Sequence, residues 1–383
     1  MTRTSWSAQT AAPTRGGSRP RPRSAPWTSR PSVLVLLVAG GGLAAVLAAL
    51  LLASAVEGAA VVDPGTGSAI ADRSGATTRL MLMVVRLASD LAVVAVVAGL
   101  LVTLLTAPTP RQGVDRSASS VRRQGQGVAL PRGVAAWALA WAAAAACLAV
   151  LNASDVSNQS VLQVLRTGLL LDYLTVIPQA RMQAGAAGVA MSIAVAAAVV
   201  GRDRGRPADA SEPFVAVVLL VLTAVGVALP LRTGHAASAV DHDFAVTSVV
   251  LHVLAATVWV GGLAGLVVHL RRSEPRLLAR AVGRFDGVAL TAFVVVAASG
   301  VTSAWTRLPE WGLVTSSGYG ALVMVKVAAL VVLGAFGAWH RHRTIGELRA
   351  GRPGAFRRLA GVEVVVMAAA AGVAVALART PTP

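Results

Sequence analysis

Along the chain, apolar residues gather in long unbroken runs; there is little strict alternation and little narrow 3.6-residue striping. The runs lie at Val33–Val56, Leu80–Thr106, Val134–Leu151, Ala180–Gly201, Phe214–Leu231, Ala245–Leu270, Phe285–Thr306, Tyr319–His340 and Arg358–Ala378. Each is long enough to cross a hydrocarbon core of roughly 30 Å at about 1.5 Å per helical residue. The pattern predicts an all-α, polytopic integral membrane bundle of nine transmembrane helices. A further apolar stretch, Val161–Ile177, is interrupted by Arg166 and Asp172 and followed by Pro178. It predicts an interfacial or re-entrant helix, not a tenth span. Residues 1–32 are rich in Arg, Ser and Pro without periodicity, which predicts a disordered basic cytoplasmic tail. Ala53-Ser54-Ala55 has the small-residue look of a signal-peptide cleavage site, but the long tail ahead of it favours an uncleaved first span.

Arginines between the runs orient the bundle. With the N-terminus inside, 25 arginines fall in the tail and inner loops. Six fall outside: Arg73, Arg79, Arg166, Arg232, Arg307 and Arg379. Cytoplasmic loops carry the excess of positive charge, so the prediction is N-terminus inside and C-terminus outside. The expected organisation is a tail (1–32), a five-span N-terminal region (33–231) and a four-span C-terminal domain (232–383).

Composition agrees with the class. Hydrophobic residues make up 55%, charged residues 13%, and mean hydropathy is +0.69. The net charge of +17 would suggest nucleic acid in a soluble protein. Here the basic residues sit between membrane runs and face lipid head groups, so no nucleic-acid partner is expected. One cysteine, Cys147, excludes an intrachain disulfide and a multi-thiolate metal cage. A metal would need His, Met, carboxylate or backbone ligands.

The chemistry concentrates in Gly234–Gly262. His235, Asp241, His242 and Asp243 precede or open an apolar run, and His252 lies about two turns inside it. Imidazoles and carboxylates at the mouth of a membrane helix suit a transition metal. The predicted topology puts this mouth on the outer face. Each residue also has a plainer role: His235, His242 and the aspartates as solvated loop groups, His252 as an interhelical hydrogen-bonding residue. Trp259, Gly261 and Gly262 read as packing residues. Met81, Met83, Met182, Met191 and Met324 would supply thioethers for a Cu(I) relay, or simply fill the core. Among the charges within spans, Arg86 and Asp90 are spaced to pair. Asp90 is also a candidate partner for Lys326, and Arg284 or Arg341 for Glu363. No phosphate loop, HExxH or credible nucleophile–base set points to an enzyme.

The second half resembles the copper resistance protein D (CopD) family of bacterial inner-membrane proteins, in its actinobacterial form. The resemblance rests on GHA (Gly234–Ala236), LHVLAATVWVGGL (Leu251–Leu263), RFDGVAL (Arg284–Leu290), SGVTSAW (Ser299–Trp305), SGYGALVMVKVAAL (Ser317–Leu330) and Glu363. It implies copper handling at the cytoplasmic membrane, as uptake or resistance, with His235, His242 and His252 as the candidate metal site. It also implies a CopC-like copper-binding partner, expected here as a separate protein because no such sandwich and no Met-rich outer segment is recognisable in the chain. Two other readings stand beside it. One is a b-type haem cytochrome with His269 and His340 as axial ligands in a four-helix bundle. The other is a copper sensor or oxidase-assembly protein that binds copper without moving it.

Overall fold

The computed structural model describes residues 76–108, 130, 133–202, 212–233, 242–305, 318–350, 352 and 354–377. The expected basic tail and first span (Val33–Val56) lie outside the described residues. The described chain forms helices α1 (Ala76–Thr106), α2 (Gly133–Ser157), α3 (Val161–Arg166), α4 (Leu169–Val176), α5 (Pro178–Val200), α6 (Glu212–Leu231), α7 (His242–His269), α8 (Pro275–Trp305), α9 (Gly318–Arg349) and α10 (Gly354–Leu377). Each remaining apolar run coincides with one long helix. Among the described residues, six helices (α1, α2 and α5–α8) are long and apolar enough to cross a membrane, and α9 carries a shorter apolar stretch, Val323–Trp339. The described residues that form regular structure are all helical, and the protein is a multi-pass membrane protein.

Val161–Ile177 is not a span. It forms two short helices, with Gly168 between them in the left-handed region at φ 75°. Ser160 opens α3 with a capping box closed by Gln163, which satisfies orphan amides at both positions. The chain then turns at Ile177, and Pro178 starts α5, where its missing N–H costs nothing. Leu162, Leu165, Leu171 and Val176 are exposed on this hairpin, as suits a segment lying at the membrane surface.

One helix organises the rest. Of the spanning stretch of α1, 67% is buried, against 22% for α8. Ala92, Val93, Val96 and Leu100 on one face of α1 pack with α2, α5 and α6. Val97, Leu101, Val102 and Leu105 on a different face join a second cluster built from α7, α8, α9 and α10. In this second group α7 packs on α8, α8 on α9, α9 on α10 and α10 back on α7. The four helices form a ring with α7 and α9 at opposite corners.

Lipid offers helices no hydrophobic gain from association, so contact depends on shape and small residues. A Cβ on Gly265 of α7 would lie 2.6 Å from the Ala98 carbonyl oxygen of α1, and one on Gly261 would lie 2.9 Å from Val97 Cγ1. On the other flank, a Cβ on Gly262 would run into the Phe285 ring of α8. The α7 backbone is thus wedged between α1 and α8. Gly226 of α6 does the same in the other group, against Trp141 and Val189.

The end of α1 is closed by a charge. Ala107 precedes Pro108, which disfavours helical backbone and removes a donor. The carbonyls left at this end accept hydrogen bonds from one guanidinium nitrogen of Arg284 on α8, at 2.8 Å to Leu105 O and 2.6 Å to Ala107 O. A cation at a helix C-terminus is favoured by both the orphan acceptors and the helix dipole. Arg284 was one of two expected partners for Glu363, the other being Arg341, and its described hydrogen bonds are these two to α1. Arg86 and Asp90 pair as expected, at 3.4 Å within α1.

Two outcomes follow from this packing. Gly265→Ala should lower stability by about 1–3 kcal/mol, because backbone must shift to admit the methyl. Gly283→Ala, where a Cβ meets nothing within 4 Å, should be neutral or stabilising by up to about 1 kcal/mol through helix propensity. Thermal unfolding in detergent micelles measures both, and equal effects would refute the wedge. Arg284→Ala should cost about 1.5–3 kcal/mol for hydrogen bonds made by a charged donor. Unchanged unfolding of that variant would show that the α1 carbonyls do not depend on it.

Candidate metal site at the α7–α8 contact

His252 is the one expected ligand whose side chain the structure describes. His235 and Asp241 lie outside the described residues, as does the side chain of His242, the first residue of α7. Asp243 is exposed in the first turn of α7, where a carboxylate also complements the positive end of the helix dipole. Among the described residues, no group of three or more His, Cys, Asp or Glu is placed to hold a metal ion.

His252 is half-buried where the early turns of α7 cross the late turns of α8. Its Nδ1 lies 3.0 Å from Ser299 Oγ. The ring also packs over Gly300, where a Cβ would meet Cε1 at 3.7 Å. Ser299 is itself held. Its hydroxyl donates back along α8 to the Val295 carbonyl, with the Val296 carbonyl at 3.2 Å. Ser248, one turn before His252, donates to the Ser299 carbonyl at 3.1 Å. Ser248 and Ser299 are both buried. An unpaired hydroxyl in this environment would be costly, and each of these has a partner. The interhelical hydrogen bond expected as the plainer role of His252 is therefore present, and it occupies one ring nitrogen.

A level deeper, the α7–α8 interface is filled by rings. Trp259 is buried and meets Phe293 edge-on, with centroids 5.5 Å apart and planes at 86°. Phe293 in turn lies against Gly334 of α9, where a Cβ would approach its Cζ to 2.9 Å. Trp259 is a packing residue here, as its spacing suggested.

Met81, Met191 and Met324 are exposed on the outer surface of the bundle, while Met83 is buried with Leu87. Exposed surface and ordinary packing account for these positions, in keeping with the plainer of the two roles expected for them. Glu363 is buried on α10, and its Oε1 lies 3.9 Å from where a Cβ on Gly337 of α9 would stand. The side chains of Lys326, Arg341 and His340 lie outside the described residues, and His269 is half-buried in the last turn of α7.

Sequence reasoning missed Ser248 and Ser299. The available signal was spacing: both serines lie in apolar runs, and Ser299 opens the SGVTSAW segment. Nothing in the sequence says that a residue 47 positions away meets His252.

Comparison with known proteins places these residues. Residues 279–377 match the family model described as CopD, copper resistance protein D. That stretch contains Arg284, Ser299 and Glu363, and begins inside α8. The resemblance expected from about residue 230 is narrower in this match, which leaves out His252 and the rest of α7. The chain is also 32% identical over 123 residues to the copper transport protein CutJ of Bacillus subtilis (strain 168), covering 31% of this chain and 23% of that protein. The chain thus matches under a quarter of the length of this curated relative. No solved structure gives a significant match. Residues 279–377 of this multi-pass membrane protein are thus similar to the copper resistance protein D family.

Proposed function

We propose that the protein takes up copper from the outer face of the cytoplasmic membrane and passes it inward through the ring formed by α7–α10. His252, with His235 and His242 from the segment just before it, forms the outer-face site, and copper is the substrate, not a resident cofactor. The full chain crosses the membrane nine times, with the N-terminus inside and the C-terminus outside. Residues 33–231 serve as scaffold and residues 232–383 as the copper-handling domain. Copper reaches the site from a separate CopC-like protein. No ATP-driven step is involved, so movement follows the membrane potential or a coupled ion.

The observation that carries this reading is an ordered imidazole within a membrane helix, held against a helix of the family-matched stretch. An imidazole there is costly unless it is paired or faces a polar path. A single imidazole is too few ligands for copper. His235 and His242 are the nearest in sequence and supply nitrogen donors, which suit Cu(II). The relative's description as a copper transport protein supports transport over sensing.

Copper accumulation in cells producing the wild-type or His252→Ala protein at equal membrane abundance tests this directly. His252→Ala should reduce the uptake rate at least tenfold, and His235→Ala or His242→Ala by smaller factors. Wild-type uptake in His252→Ala would sink the proposed site. Wild-type protein that leaves uptake at background, while altering oxidase maturation or copper response, would favour an assembly or sensor role.

A further inference from the structure

We propose that Arg271 and Arg357 form a binding site for the phosphate of an anionic membrane lipid, at the end of the bundle opposite His252. The site shares no residue with the proposed copper path and does not depend on it.

Packing brings the two arginines together from different helices. Arg271 lies in the turn after α7, and Arg357 in the first turn of α10. Their neighbours Leu270 and Phe356 are buried in one cluster, and α10 packs directly on α7. Residues 270–280 hold four arginines and one glutamate, Glu274. Residues 347–358 hold four arginines and one glutamate, Glu347. The carboxylates of these segments are therefore too few to neutralise their positive charge.

Arg357 shows the consequence. Its Nε is buried and makes no hydrogen bond. A donor on a charged group, hidden from water without a partner, is costly. Burial first, and the charge of Arg271 second, press the Arg357 pKa below the usual arginine value. Helix polarity adds to the cost, because the start of α10 is the positive end of its dipole and its first turn holds no acidic residue. Burial, a like charge and the dipole all call for an anion beside this guanidinium. Arg271 contributes charge whatever else it contacts, since a guanidinium stays protonated and carries five donors. Arg357 is only half-buried, so its guanidinium can turn to offer Nε and a terminal nitrogen side-on to one phosphate.

Depth selects a lipid as the source of that phosphate. Arg271 directly follows the apolar run Ala245–Leu270, and Arg357 directly precedes the run Arg358–Ala378. Both therefore stand at head-group level, where lipid phosphates are concentrated and basic pockets between helices bind them. A zwitterionic lipid brings its own cation to the phosphate. Two adjacent arginines thus favour an anionic lipid such as phosphatidylglycerol.

The test titrates the full chain, purified in neutral detergent, with phosphatidylglycerol and counts bound lipid by native mass spectrometry. Wild type should hold one phosphatidylglycerol about tenfold or more tightly than phosphatidylcholine. Arg271→Gln and Arg357→Gln should each weaken it about 10–100-fold, the loss expected for hydrogen bonds made by a charged donor. Arg276→Gln, which removes an exposed charge from the same end of the bundle, should bind as wild type does. Equal affinity of wild type for the two lipids would overturn the proposal, and that arm needs no variant to fold. So would a loss in Arg276→Gln as large as in Arg357→Gln, the mark of diffuse attraction. Displacement of the lipid by an equimolar amount of inorganic phosphate would assign the site to a dissolved anion and overturn the lipid reading.

Discussion

Close approach of α7 to the backbone of α1 is the constraint on which the arrangement rests. Without water there is no hydrophobic reward for bringing two helices together in a bilayer, so association depends on how closely their surfaces fit. Gly261 and Gly265 remove side chains from the face of α7 that meets Val94, Val97, Ala98 and Val102. Gly262 does the same on the flank that receives Phe285 of α8. Once α7 is seated between α1 and α8, the positions of His252 on one and Ser299 on the other follow without a dedicated loop.

The central helix gives the two halves a common reference. The faces of α1 serve different clusters, one with α2, α5 and α6 and one with α7–α10. Its charged contacts lie toward its ends: the Arg86–Asp90 pair early in the helix, and the Arg284 latch on its last carbonyls. The latch ties the start of α8 to α1, while the His252–Ser299 and Ser248–Ser299 contacts tie its end to α7. A helix fixed at both ends to two neighbours is a rigid support.

Beneath His252 the same interface is closed by Trp259 and Phe293. In the proposed scheme, an ion bound near His252 meets this pair of packed rings on its way inward. Inward passage in the proposed scheme requires these rings to move or the ion to pass to one side of them. The tight seating of Phe293 on Gly334 favours displacement of the whole α8–α9 contact over rotation of a single ring.

Runs of apolar residues made the helices legible, because a bilayer demands about twenty of them per crossing and satisfies backbone hydrogen bonds within each segment. Arg166, Asp172 and Pro178 were enough to keep Val161–Ile177 from being read as a span, and the pairing of Arg86 with Asp90 followed from their four-residue separation. The C-terminal family likeness was legible for a similar reason, since it rests on contiguous pieces such as RFDGVAL and SGVTSAW. The tertiary structure decided what depends on residues far apart in the chain. Arg284 reaches the carbonyls of α1, and His252 finds Ser299. Long apolar helices look alike from every side in sequence, and only their packing decides which face of each meets which neighbour.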